Sequence, residues 1–202
     1  MDLDRISPQE ISRKLEGCSN KPIDYPYPSP PLEDRTRPAA VLIPLVRDNK
    51  EWKILFIRRT EIQGDRHSGQ VAFPGGVCNS NDSSAEEAAK RETHEELGIQ
   101  ANDITILGKL NQFLTVTNFI VTPIVGMIPW PYPLHLEPKE VSRAFTIPLT
   151  WLNNSSNWKV IPYELSNGKT TEVIYFKQYD GEILWGASAR FVLTFFNALS
   201  SK

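Results

Sequence analysis

The chain has 202 residues, 40% of them hydrophobic and 23% charged, enough for one substantial domain with its own core. Its formal net charge of -2 excludes a general basic field for nucleic acid or an anionic membrane, so neither is expected as a partner, while a local basic pocket for phosphates stays open. Two cysteines, Cys18 and Cys78, lie outside any CxxC spacing and form no disulfide framework. No run approaches the ~20 apolar residues of a membrane span, and Met1 to Glu16 lacks a signal-peptide core. A cytoplasmic chain with free thiols is the expectation.

Ser7-Pro8-Gln9-Glu10 reads as an N-cap, a proline at the first helical position and an acidic first turn, with Ile6, Ile11 and Leu15 on one stripe. Lys21 to Pro38 holds six of the 16 prolines and reads as an extended arm, because proline removes backbone donors and fixes φ. The arm either crosses to a second copy of the chain, giving a homodimer, or wraps its own domain; composition does not choose. The division expected is 1–38 for helix and arm, then a catalytic domain over 39–202.

Within that domain, Ala39 to Val46 and Trp52 to Arg58 read as two strands joined by the turn Asp48-Asn49-Lys50. Thr60 to Ser68 is a polar loop. Gln70 to Phe73 is a short strand stopped by Pro74-Gly75-Gly76, and Asn79 to Ser84 is a second loop. Ser84-Ala85-Glu86-Glu87 fits a capping box, and the helix it opens runs to Leu97 with Gly98 behind it. Ile104 to Phe113 and Phe119 to Met127 are further strands. Trp130-Pro131-Tyr132-Pro133 marks a loop, and Val141 to Ile147 alternates. Trp158 to Tyr163 and Glu172 to Phe176 form a late hairpin with Asn167-Gly168 in its connection. Ala187 to Leu199 closes as a helix. Strands with two strong helices predict a mixed sheet covered on both faces, an α/β/α sandwich.

Chemistry concentrates in Arg91-Glu92-Thr93-His94-Glu95-Glu96-Leu97-Gly98-Ile99. Helical spacing puts Glu92, Glu95 and Glu96 on one patch, where like charges repel unless a cation binds. Acidic residues near a helix C-terminus also oppose the macrodipole, so local stability does not account for them. A hard divalent cation such as Mg²⁺ suits oxygen ligands, and Arg91 could orient a carboxylate through a bidentate pair. Phe73-Pro74-Gly75-Gly76, just ahead of the helix, is a turn where backbone can approach a ligand.

This segment resembles the Nudix box, GX5EX7REUXEEXGU, with U a bulky apolar residue. Gly76 matches the first glycine, and Arg91, Glu92, Glu95, Glu96, Gly98 and Ile99 match the second half. The Gly76 to Arg91 spacing is one residue longer than the pattern. Asp82 or Ser83 falls where the middle Glu stands, and Thr93 occupies a U position. The chain is similar over a longer stretch, Val41 to Arg190, to the coenzyme A pyrophosphatase branch. Leu55 to Thr60, Gly69-Gln70-Val71-Ala72-Phe73-Pro74-Gly75-Gly76, Phe113 to Pro123, Glu140-Val141, Ile147-Pro148-Leu149 and Trp185-Gly186-Ala187-Ser188-Ala189-Arg190 carry that likeness. The branch's loop arginine, counted back from Gly69, lands on Asp65, with Arg66 adjacent.

The resemblance implies a Nudix-type fold that hydrolyses a diphosphate linkage with Mg²⁺ or Mn²⁺. It implies Glu95 and Glu96 as ligands, the Gly76 carbonyl as another, and Glu92 as ligand or general base. Glu140 is the expected loop carboxylate, with Glu137 its competitor. Arg59, Arg66 and His67 are expected to grip substrate phosphates. His94 is read as supporting, and Phe113, Phe119 and Trp185 as core. Coenzyme A is the first substrate class; ADP-ribose, a dinucleotide or a nucleoside triphosphate is the alternative. A non-catalytic nucleotide-binding module is a third reading, which the intact glutamate set disfavours.

Overall fold

The structure, a computed structural model, describes residues 3–18, 36–64, 68–115, 117–164, 168 and 170–200. Most of the proline-rich arm, Asp65, Arg66, His67 and Asn167 lie outside them. Helix α1 spans Pro8–Leu15, and Ser7 caps it by accepting from the Glu10 N–H. Strands β1 (Arg37–Asp48) and β2 (Glu51–Arg59) form the first hairpin, turned by Asn49 and Lys50, both at positive φ as a two-residue type I′ turn needs. β1 thus starts two residues ahead of Ala39. β3 is shorter than expected, Val71–Ala72.

The glycine pair does not merely stop that strand. Gly75–Val77 is a strand of its own, β4, antiparallel to β1 with Ala40 opposite Gly76. Helix α2 (Ala85–Leu97) begins at Ser84, whose side chain accepts from the Glu87 N–H, and ends at Gly98 in the left-handed region. The expected strand from Ile104 to Phe113 is divided into β5 (Thr105–Lys109) and β6 (Phe113–Leu114). A bulge between Ile106 and Gly108 interrupts its pairing, and Leu15 of α1 packs there so closely that a Cβ on Gly108 would lie 2.7 Å from the leucine Cβ. The remaining elements are β7 (Phe119–Met127), β8 (Val141–Pro148), α3 (Leu149–Leu152), β9 (Trp158–Glu164), β10 (Thr170–Phe176) and α4 (Gly186–Ser200).

β1 and β7 run parallel at the centre of an eight-stranded sheet whose other pairings are antiparallel, and β9 with β10 forms a separate two-stranded sheet. The central strands bury both faces. Ile43, Leu45, Ile54 and Phe56 meet α1 through Ile11 and Leu15 and α4 through Phe191, Val192, Phe195 and Leu199. Ala40, Leu42, Leu55, Ile57 and Ile124 meet α2 through Ala88, Ala89 and Leu97. Each fully buried Leu, Ile, Val or Phe among them contributes about 1.5–3 kcal/mol, and this two-sided burial explains the near-continuous apolar runs of β1, β2 and β7. The mixed α/β fold with helices on both faces is the one anticipated. Trp185 differs from expectation: it is half-buried and stacks on Tyr175 at 5.4 Å rather than entering the core. Among the described residues no helix is long and apolar enough to cross a membrane.

Candidate active site

The small side chains of Ala88 and Ala89 let α2 lie close over the sheet, and β4 runs beneath its C-terminal half. Two glutamates use the space that the glycines leave. Glu96 is 1% exposed, and the Gly75 N–H donates to its Oε2 at 3.1 Å. The Glu92 carboxylate rests on Gly76, where an added Cβ would come within 2.6 Å of the glutamate Cδ. A Cβ on Gly75 would instead meet backbone, 2.4 Å from the Ala40 carbonyl oxygen.

The two glycines therefore predict opposite phenotypes. In Gly76→Ala the Glu92 side chain can swing aside, so turnover should fall by about tenfold or more with little change in melting temperature. In Gly75→Ala the sheet itself must move, and overpacking of about 1–3 kcal/mol should lower the melting temperature directly. Calorimetry beside an activity assay separates the cases; equal melting of both variants would defeat this account.

Arg91 organises the acidic face. Its Nε and Nη2 donate to Asp82 at 3.0 and 3.1 Å, a bidentate pair. Nη1 donates to Glu92 at 2.8 Å and Glu95 at 3.0 Å, and Nη2 also reaches the Val77 carbonyl at 3.1 Å. The bidentate partner is thus Asp82, not one of the three glutamates. Asp82 occupies the position six residues after Gly76, so the box's middle carboxylate is present with a side chain one methylene shorter. The signal was in the spacing, obscured by the extra residue before Arg91. Thr93 fits the apolar position because its buried hydroxyl bonds back to the Ala89 carbonyl at 2.7 Å.

The last turn of α2 is held by the following loop. The His135 N–H donates to the Leu97 carbonyl at 2.9 Å and the Glu137 N–H to the Glu96 carbonyl at 3.0 Å, satisfying groups the helix leaves open. Tyr132 pins the same loop by donating to Asp103 at 2.7 Å and accepting from the Gln100 N–H at 3.0 Å. Glu137 turns its carboxylate to the Lys139 N–H, while the Glu140 charge acts on Glu92 and Glu96.

Burial pushes Glu92 up from the ordinary glutamate range, against the pull of Arg91, with Glu95 and Glu140 adding to the rise. Glu96 is pushed up to about 8, first by burial and then by Glu140 and Glu92, while the Gly75 N–H and Arg59 favour its charged form. The Arg91 hydrogen bonds hold Asp82 below the usual carboxylate range.

Of the predicted site residues, the structure places Glu92 against Gly76 and Glu96 beneath Gly75, with Arg91 bonded to Glu92 and Glu95, while the charges of Glu140 and Arg59 act on Glu96. Glu95 is 53% exposed and turned to Arg91. His94 is exposed. Arg66 and His67 lie outside the described residues. Among the described residues, no three His, Cys, Asp or Glu side chains stand in ion-holding geometry. The donor set nevertheless suits a hard dication: burial, with Glu140 and Glu92 adding to it, disfavours the charged form of Glu96, and a positive ion there would favour it.

A NUDIX domain model matches residues 36–167. The "Uncharacterized Nudix hydrolase NudL" of Photorhabdus laumondii is 34% identical over 170 residues, covering 84% of this chain and 89% of that protein. A protein of the same description from Enterobacter sp. (strain 638) is 37% identical over 153 residues, covering 76% of this chain and 78% of that protein. The crystal structure of a MutT/nudix family protein from Enterococcus faecalis superposes with a TM-score of 0.54 at 18% identity, over 84% of this chain and 64% of the other, and shares its fold. The match of family model and relatives, laid over a glycine turn on which Glu92 and Glu96 of α2 rest, shows that the chain belongs to the Nudix hydrolases, enzymes that act on pyrophosphate bonds.

Proposed function

We propose that the chain hydrolyses the diphosphate linkage of coenzyme A or a related coenzyme A compound, releasing a phosphopantetheine fragment and adenosine 3′,5′-bisphosphate. The observation that carries the hydrolytic site is the buried Glu96 beneath Gly75, with Glu92, Glu140 and Arg59 around it. The substrate class rests on the likeness of Leu55 to Thr60, Gly69 to Gly76 and Trp185 to Arg190 to the coenzyme A branch.

Nudix hydrolases generally use divalent metal ions, and we take the ion here to be Mg²⁺ or Mn²⁺. When bound, such an ion neutralises diphosphate charge and eases the deprotonation of water. Glu95, Glu96 and the Gly76 carbonyl are the ligands we assign. Glu92 accepts the proton of the attacking water or completes the ligand set. Arg91 fixes its rotamer, and Arg59 pairs with a substrate phosphate, aided by Arg66 and His67. The free thiols Cys18 and Cys78 fit a reducing, cytoplasmic setting.

The test is incubation with Mg²⁺ or Mn²⁺ and coenzyme A, its thioesters, ADP-ribose, NADH and nucleoside triphosphates, with products identified by mass. Adenosine 3′,5′-bisphosphate from coenzyme A is the expected product. Turnover confined to ADP-ribose or triphosphates would replace the coenzyme A reading with its alternative.

A further inference from the structure

Two side chains away from the acidic cluster join the strand end that carries Arg59 to the turn that carries Glu140. Thr60 follows Arg59 directly. Its N–H donates to the Glu140 carbonyl at 2.9 Å, and its hydroxyl donates to the Pro138 carbonyl at 2.8 Å. On the other strand, Ser142 is an extra residue: Arg58 pairs with Arg143 and Arg59 with Val141, so the register slips between them. The Ser142 hydroxyl lies 3.1 Å from the Arg58 carbonyl and 3.4 Å from that of Arg59, closing the bulge. Bulges beside active sites re-aim side chains. Here the extra residue turns Val141 onto the α2 face, where it is 1% exposed in the core, and leaves Glu140 at the rim beside it.

The far end of the same turn is tied to α2. The Glu137 N–H donates to the Glu96 carbonyl, and the Glu137 carbonyl accepts from the N–H groups of Glu140 and Val141 at 3.0 and 2.8 Å. The 137–140 turn is therefore suspended between the helix that carries Glu92 and Glu96 and the strand that carries Arg59. The Thr60 hydroxyl supplies one of the bonds on the strand side.

We propose that Thr60 and Ser142 are positioning residues that hold the Glu140 carboxylate against Glu92 and Glu96, and so set the affinity of the site for a divalent cation. The proposal rests on Glu140 belonging to that site. Glu140 is exposed and lies in the turn just before β8, so without the clamp its side chain would sample many directions.

Mn²⁺ alone is the probe, its free concentration read by electron paramagnetic resonance over the wild type, Thr60→Val, Thr60→Ser, Glu140→Gln and Thr60→Val with Glu140→Gln. Val keeps the shape of Thr and removes the donor. Thr60→Val should weaken Mn²⁺ binding about tenfold, and Thr60→Ser should restore it. In the Glu140→Gln background the Thr60→Val change should add less than about twofold, because both act through one carboxylate. Equal losses in both backgrounds would overturn the clamp. So would wild-type binding by Thr60→Val beside weakened binding by Glu140→Gln, which would leave the site itself intact. Wild-type binding by Glu140→Gln would remove Glu140 from the site and the clamp with it. Should Thr60→Val fail to fold, Ser142→Ala enters the same cycle with the same expectations.

Discussion

Glu96→Gln should cut turnover by at least about 100-fold and, in the metal-free protein, raise stability above neutral pH rather than lower it. The two effects have one origin. In the fold the Glu96 carboxyl titrates at about 8, against 4.5 for an ordinary glutamate. A raised acid stabilises the native state fully while it is protonated in both states, below about pH 4.5, and loses that contribution as pH climbs through 8. The wild type should accordingly melt lower at pH 9 than at pH 5 in EDTA. The Gln variant still accepts from the Gly75 N–H and carries no charge, so it should lack that slope. A difference of a few kcal/mol corresponds to roughly 2–4 °C each for a chain of this size. Mg²⁺ added at pH 9 should recover the wild type and leave the variant unmoved. Parallel pH profiles for both proteins in EDTA would sink the assignment.

Arg91→Lys is expected to cost about 10–100-fold in turnover and about 2 kcal/mol in stability. The guanidinium serves Asp82 twice, Glu92, Glu95 and the Val77 carbonyl from one planar fork, with 27% of the side chain exposed. An ammonium keeps the charge but cannot reproduce that fork. Asp82→Asn should show a smaller part of the same loss, and the double variant should be no worse than Arg91→Lys, since the residues act as a unit. Melting curves and steady-state kinetics on the three variants decide it. A Lys variant with wild-type kcat would mean that charge alone suffices at this position.

Legibility in the sequence followed the kind of force involved. Capping at Ser84 and the stop at Gly98 depend on neighbours along the chain, and the α2 boundaries were readable from them. The turn at Asn49 and Lys50 was readable for the same reason. Gly75 and Gly76 were misjudged as a stop, because their strand exists only through pairing with Ala40 and Val41, distant in sequence. The bulge at Gly108 seats Leu15 from another element, so the Ile104 to Phe113 run gave no hint of it. At the acidic face, helical spacing put Glu92, Glu95 and Glu96 together but could not grade them. Tertiary packing buries Glu96 and leaves Glu95 about half-exposed beside Arg91. The Thr60 bonds to the 137–140 turn join segments far apart in the chain, and no local pattern announces them.

The close seat of Leu15 against Gly108, with α4 on its other side, has a consequence for the order of events during synthesis. α1 leaves the ribosome before the strands and helices that cover it, for both surfaces that bury Ile11 and Leu15 are made later, α4 after all the other described elements. At about 5–20 residues per second the wait is on the order of ten seconds or more. An eight-residue helix is marginal in water without its partners, so through that interval its apolar stripe is exposed to whatever chaperones attend the nascent chain. The α1 segment should thus acquire protease resistance later than the central strands, although it is made before them.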